Sequence, residues 1–260
     1  MQTHLDEWSV GPRQTRGWVR RLAPERWQYG VVAGSREASE QGSWLSLLAA
    51  IGRSRFISWL TTIDQSLIAE NKHYQLAVAS GIGVAVPRAV VSNRTLDVLD
   101  FLPHERIVKT LGPGHYVEGG ESRVIFTQAI DDATTALLEG DIPMIYQEEL
   151  RALQHLRVVV VGVEVWVCAL DAADLPLDWR SEPVAHESFA TVPTSDHIRG
   201  NALSVCKALG IGYSSQDWVV TAAGPVLVDV NPGGQWLFLP EPAQTEISIA
   251  IAKWLRGTNV

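Results

Sequence analysis

At 260 residues, 46% hydrophobic and 19% charged, the chain has an ordinary globular balance, with room for one large domain or two small ones. A formal charge of −8 excludes a sequence-independent nucleic-acid binder, which needs a basic footprint, and two cysteines exclude a disulfide scaffold or a cysteine-rich zinc site. No stretch approaches the roughly 18 apolar residues of a membrane span, and residues 1–9 lack the apolar centre of a signal peptide, so a cytoplasmic protein with no membrane partner is expected.

Residues 1–62 are rich in Trp and Arg, show no repeat, and offer one or two short helices within 45–60. Apolar spacing predicts an amphipathic helix over 64–80, with Gly81 as its stop, and then a strand over 84–87 ending at Pro87. A strand over 106–111 leads into a glycine-rich loop, 112–120, and a return strand over 124–127. A brief helix over 132–139 and a buried strand over 144–148 follow. Residues 157–161 and 165–170 are strongly β-forming, and glycine first in the Gly162-Val163 turn suits a type II′ hairpin. Ser195 is placed to cap a helix carrying Ile198, Ala202, Val205 and Leu209 on one face, stopped by Gly210. A second hairpin joins 217–221 to 225–230, and a last helix over 245–255 stops at Gly257. Locally paired strands mixed with helices indicate an α+β fold.

The second hairpin carries the strongest chemical signal. With its turn centred on Ala223, so that Thr221 faces Pro225, Asp217 comes directly opposite Asp229. Asn231 then shares their face by strand alternation, while Trp218, Val220, Val226, Val228 and Val230 share the other as a core. Opposed Cβ atoms lie about 4.5–5.5 Å apart. Two carboxylates and an amide oxygen at that spacing suit Mg²⁺, whose remaining positions go to water and phosphate. The competing explanation is a solvent-facing polar stripe, and a slip of one residue would break the group.

Lys109 ends an apolar strand before the glycine-rich loop, where an ammonium and backbone N–H groups can hold phosphates. Lys72 lies in a helix, where a solvated charge is the plainer explanation. Gln147, Glu148, Glu149 and Leu150 leave a buried strand, a place where adenine can pair with backbone groups and a carboxylate. Arg157 and Arg180 are planar, permanently charged forks suited to phosphate or carboxylate, although Asp178 and Arg180 also make an ordinary surface pair. The histidines have no metal-ligand spacing, and no Ser/His/Asp nucleophile arrangement is present.

In this order the pieces resemble the ATP-grasp superfamily and, more narrowly, the ATP-grasp peptide maturases of microviridin-type (graspetide) pathways, relatives of the ribosomal-protein glutamate ligases. The resemblance rests on Asn71-Lys72 before Gly81-Ile82-Gly83-Val84-Ala85-Val86-Pro87, on Ile107-Val108-Lys109, and on Ile125-Phe126-Thr127. It continues through Gln147-Glu148-Glu149-Leu150, Leu156-Arg157-Val158-Val159-Val160-Val161-Gly162, Asp178-Trp179-Arg180, Asp217, Asp229-x-Asn231-Pro232 and Gly234-Gln235-Trp236, covering about 62–255. It implies an ATP-grasp fold, in which two α+β subdomains (63–147 and 148–260) sandwich ATP behind an abbreviated N-terminal pre-ATP-grasp segment, 1–62. Lys72 and Lys109 would contact phosphates, Gln147 and Glu148 to Leu150 the adenine, and Asp217, Asp229 and Asn231 the Mg²⁺. His155 stands where relatives carry an acid near the ribose, and Ala152 stands for a common lysine, with Arg151 beside it. Arg157 and Arg180 would steady the γ-phosphoryl and an acyl phosphate.

Trp18-Val19-Arg20-Arg21 resembles the maturases' "W-x-R-R-P", with Leu22 in place of proline, and makes Arg20 and Arg21 substrate candidates. The implied activity is an ATP- and Mg²⁺-dependent carboxylate ligase making side-chain ester or amide links in a ribosomally made precursor peptide with a leader segment. A homodimer is an open expectation. The alternatives are a ligase joining an amino acid to a separate molecule, and a nucleotide-binding partner without catalysis.

Overall fold

Two antiparallel sheets, each with helices against it, make up the computed structural model, which describes residues 15–21, 31–102, 105–112, 114–118, 121–137 and 142–257. The chain begins with β1 (Thr15–Gly17), α1 (Arg36–Gly52) and β2 (Ile57–Trp59). β1 and β2 form a small parallel pair. The expected one or two short helices within 45–60 are instead a single long helix that starts earlier, because Ser35 accepts a hydrogen bond from the Ala38 N–H and caps it.

The expected helix over 64–80 is two helices, α2 (Ile63–Ala69) and α3 (Lys72–Gly81). Thr62 and Gln65 form a capping box at the start of α2. The Asn71 side chain accepts from the Tyr74 N–H at 2.9 Å and starts α3 afresh, so the break is itself a cap. Residues 84–87 are extended but join no ladder. Proline lacks the donor a ladder needs, and the strand starts beyond it as β3 (Ala89–Ser92), followed by α4 (Thr95–Phe101) and β4 (Arg106–Thr110).

Of the expected loop 112–120, residues 113, 119 and 120 lie outside the described residues, and the others build a hairpin of β5 (His115–Glu118) and β6 (Glu121–Val124). The return strand is thus earlier than 124–127, and β7 (Gln128–Ile130) pairs with β4. Next come α5 (Asp132–Leu137) and β8 (Met144–Glu148). The first sheet runs β3-β8-β4-β7. Val98 and Leu102 at α4 pack on its Val108, Ile130 and Tyr146.

β9 (Gln154–Val161) and β10 (Glu164–Asp171) turn at Gly162, whose φ of 61° requires the left-handed region that glycine occupies freely. A 3₁₀ turn (Trp179–Ser181), α6 (Pro183–Glu187), β11 (Ala190–Thr191) and α7 (Asp196–Leu209) lead to β12 (Tyr213–Thr221), β13 (Gly224–Asn231) and α8 (Ala243–Arg256). Ser195 and Gly210 bound α7 as expected, and Gly257 stops α8. The second sheet runs β11-β10-β9-β12-β13. Its one face packs Val158, Val160, Trp218 and Leu227 against α7 and α3, and its other packs Val159, Val161 and Tyr213 against α8. No described helix is long and apolar enough to cross a membrane.

The last hairpin differs in detail from expectation. Its turn is tighter, with Thr221 opposite Gly224, yet Asp217 still faces Asp229 because a bulge intervenes: Trp218 pairs with Leu227 while Val228 is the extra residue. The bulge exchanges the core positions, burying Leu227 completely and leaving Val226 and Val228 part-exposed.

Candidate active site

Strand alternation on the second sheet aims His155, Arg157, Ser215, Asp217, Asp229 and Asn231 out of one face. They stand beside a cleft of about 770 Å³ that is also lined by the first sheet. Asp217 lies between Asp229 on β13 and Arg157 on β9, its ladder partners on either side. The Arg157 Nη1 stands 3.0 Å from the Asp217 carboxylate and donates to Ser215 Oγ at 3.2 Å. Its guanidinium packs over the Trp179 and Phe238 rings, at 5.8 and 5.4 Å from their centroids. Its Nε is buried with no hydrogen-bond partner.

Burial raises the Asp217 pKa above the usual carboxylate range; Arg157 opposes the rise and Asp229 adds to it. A carboxylate crowded by another in this way is relieved by a cation between them. Among the described residues no three His, Cys, Asp or Glu side chains group as a metal site; the oxygen donors that share this face include the two carboxylates and the amide of Asn231. Two carboxylates and an amide are hard, oxygen-only donors that leave most octahedral positions to phosphate and water, which fits Mg²⁺.

Lys109 reaches the same place from the end of β4. Burial lowers its pKa, Asp229 opposes that, and the positive Lys72 and Arg180 deepen it. An anion entering the cleft would favour the charged ammonium. Lys72 is half-buried at the start of α3 rather than solvated on a helix face, and its Nζ donates to the Thr110 carbonyl at 3.3 Å. This bond ties α3, which packs on the second sheet, to the first sheet.

At the far end of the cleft β8 delivers Gln147, Glu148, Glu149 and Leu150. Gln147 is buried, and Glu148 Oε1 accepts from the Arg88 N–H at 2.8 Å. The Glu148 and Glu149 N–H groups donate to the Arg88 and Glu105 carbonyls, so Leu150 marks where the chain leaves this pairing. His155 lies half-buried on the cleft wall; burial lowers its pKa and the Asp178 charge opposes that.

The Asp178–Arg180 pair is only half at the surface, since the Arg180 side chain is 52% exposed and that of Asp178 6%. Asp178 is buried, caps the 3₁₀ turn, and holds Arg180 at both ends, accepting from Nε at 2.7 Å and Nη2 at 2.6 Å. It also accepts from the Thr127 N–H at 3.1 Å, a bond that crosses from the first sheet's lobe. The two hydrogen bonds leave the Arg180 Nη1 hydrogens and one on Nη2 for a ligand. Burial alone would raise the Asp178 pKa, but the hydrogen bonds and charge of Arg180, with the Thr127 N–H, hold it below the usual range. A depressed acid contributes stability above its unfolded pKa and loses it as pH falls through the folded value. Asp178→Asn should therefore melt a few degrees below the parent at pH 7, with the gap closing below about pH 4; a gap of constant size down to pH 3 would disprove the charge assignment.

Arg20 and Arg21 do not line this cleft. Arg20 Nε donates to the Gly233 carbonyl at 3.1 Å, beside the exit of the β12–β13 hairpin, and its guanidinium lies over Trp236. Sequence reasoning did not find Ser215 or Thr127 as supports. Ser215 was accessible in principle, two residues before Asp217 on one strand face; Thr127 was not, because only the meeting of the lobes brings it to Asp178.

No family model matches this sequence, and no curated protein does. Solved structures do. A RiPP-associated ATP-grasp ligase of Chryseobacterium gregarium, in complex with ADP and a leader and core peptide, superposes with a TM-score of 0.81 at 20% identity, covering 94% of this chain and 76% of that one. The macrocyclase MdnC of Microcystis aeruginosa MRC, bound to its precursor peptide MdnA, gives 0.77 at 24% identity, covering 94% and 78%. The ATP-grasp ligase PsnB, complexed with a precursor variant, Mg and ADP, gives 0.66 at 17% identity, covering 92% and 78%. The chain has the ATP-grasp fold.

Proposed function

We propose that this protein is an ATP- and Mg²⁺-dependent carboxylate ligase that joins side chains within a ribosomally made precursor peptide, by ester or amide bonds. The observation that carries this reading is the facing of Asp217, Asp229 and Asn231 toward Lys109 and Arg180 in one cleft. Complexes of similar structures with ADP and with leader or precursor peptides support it. When bound, Mg²⁺ supplies charge neutralisation between the nucleotide phosphates. Asp217, Asp229 and Asn231 would hold it, Lys72 and Lys109 would grip phosphate oxygens, and the exit of β8 would take the adenine, with His155 near the ribose.

The chemistry runs in two displacements. A peptide carboxylate oxygen bonds to the γ-phosphorus as the bond to the β-phosphate oxygen breaks, releasing ADP and leaving an acyl phosphate. A hydroxyl or amine then bonds to the acyl carbon, its proton goes to solvent or a base, and inorganic phosphate departs. The protein's work is positioning and charge compensation. Arg180 offers donors to the carboxylate as it nears an anionic triphosphate, and Arg157 favours the charged form of Asp217 against the effect of its burial.

Lys109→Ala should weaken binding of a non-hydrolysable ATP analogue about 10- to 100-fold, the worth of a charged hydrogen bond of about 1.5–3 kcal/mol. Calorimetry giving the parent's affinity would remove Lys109 from the phosphate site. The whole reading is tested by incubating the protein with ATP, Mg²⁺ and candidate precursor peptides that carry acidic side chains together with hydroxyl or amine side chains. Mass spectrometry should show loss of one water per bond formed. A mass gain would mean ligation to a second molecule, and an unchanged peptide with no ADP formed would mean nucleotide binding without catalysis.

A further inference from the structure

We infer that Arg20 is a positioning residue for Asn231, holding the metal-side loop through Gly233; the inference rests on the metal role proposed for Asn231. The connection starts from the amino-terminal strand. β1 lies parallel to β2, and the Leu60 N–H donates to the Gly17 carbonyl at 3.0 Å, which sets where the chain goes after Gly17. Trp18 then packs tilted against Tyr213, with 4.6 Å between centroids, and stands 6.0 Å from Trp236. This brings Arg20 against the loop that leaves β13.

The loop is held at successive residues. Arg20 Nε donates to the Gly233 carbonyl at 3.1 Å while its guanidinium lies 5.6 Å from the centroid of Trp236. The two backbones touch, since a Cβ on residue 233 would collide with the Arg20 carbonyl oxygen. The Gly233 N–H donates to Asn231 Oδ1 at 3.0 Å. Tyr213 Oη donates to the Gly234 carbonyl at 2.8 Å.

Consequently the peptide units around Gly233 bind Arg20 on one side and the amide oxygen of Asn231 on the other. An amide oxygen has two lone pairs. The Gly233 N–H occupies one of them and so fixes the rotation of the amide, leaving the other for a cation. Asn231 is itself exposed, while Pro232, Gly233 and Gly234 are buried, so its orientation depends on the loop rather than on packing around its own side chain. Arg20 therefore acts on the metal at one remove, as an outer support that orients a ligand.

The test separates metal support from general stability. Binding of a non-hydrolysable ATP analogue to the full chain is measured by calorimetry, with Mg²⁺ titrated and again in chelator, for the parent, Arg20→Ala and Arg20→Lys. Loss of the support should raise the half-saturating Mg²⁺ concentration about tenfold in Arg20→Ala, leave analogue affinity in chelator within about twofold, and give a smaller rise in Arg20→Lys. A folded Arg20→Ala with the parent's Mg²⁺ dependence would overturn the inference. So would equal weakening with and without metal, which is the mark of a merely structural residue. Should Arg20→Ala fail to fold, Arg20→Lys decides by the same two measurements, and Gly233→Ala, which pushes the backbones apart while keeping Arg20, should show the same selective loss. A parent whose analogue binding ignores Mg²⁺ altogether would refute the metal site itself, a different failure from a parent that responds and variants that do not differ.

Discussion

Asp229→Ala should abolish turnover while leaving the fold intact. Losing one of two carboxylates removes the pair that would hold Mg²⁺, and metal stabilisation of developing phosphoryl charge is worth several kcal/mol. About 4 kcal/mol is a fall on the order of a thousandfold in kcat. The core should not notice the change, because Trp218, Leu227 and Val230 are buried on the opposite face of the hairpin. Removing Asp229 also removes a negative neighbour that raises the Asp217 pKa, so the metal-free protein loses a repulsion along with its attraction to Lys109. Its Tm should move by less than about 3 °C. The readout that separates site from fold is the nucleotide response. With Mg²⁺ and analogue at 100 times Kd, the parent should gain about 2.7 kcal/mol, or roughly 5–10 °C, and Asp229→Ala should gain little. A variant that keeps the parent's kcat, or its full thermal response, would show that the hairpin is only a polar stripe.

Arg180→Lys should lower kcat about 100- to 1,000-fold with the KM for ATP nearly unchanged. Lysine keeps the charge but cannot grip Asp178 at two points and still present donors to a substrate carboxylate. The loss is thus specific to the transition state, as for a preorganised donor at a site of developing charge. Asp178 would keep the Thr127 N–H, so the lobes should still meet. An unchanged kcat would make Arg180 a support for Asp178 and nothing more. A large rise in KM for ATP at constant kcat would instead move it into the nucleotide site.

How far the site was readable from sequence varied residue by residue. The facing of Asp217 and Asp229 was readable from alternation, although the turn assumed for it was too wide. The tighter turn shifts the pairing one way and the bulge at Val228 shifts it back, so the pair survives and the core positions around Leu227 do not. A bulge is a choice between two local packings that period-two alternation does not encode. The break between α2 and α3 had a local signal in Asn71, a strong cap, but apolar spacing continued across it and concealed it. Arg180 was readable as a fork near the cleft, whereas the buried state of Asp178 was not, since it depends on Thr127 arriving from a lobe 51 positions away. Arg20 was readable only as a cation. Its hold on Gly233 spans 213 positions and follows from how Trp18, just beyond β1, packs against Tyr213, which no local pattern expresses.

On the proposed reading, one face of the β12–β13 hairpin and the end of β4 would enclose a nucleotide and its metal. A crystal structure of the full chain with a non-hydrolysable ATP analogue and Mn²⁺, which reveals itself by anomalous scattering, tests this most directly. A Mn²⁺ peak shared by Asp217, Asp229 and Asn231 is expected, with phosphate oxygens reaching Lys109 and the adenine beside Leu150. A nucleotide bound elsewhere, or a peak that touches neither aspartate, would contradict it.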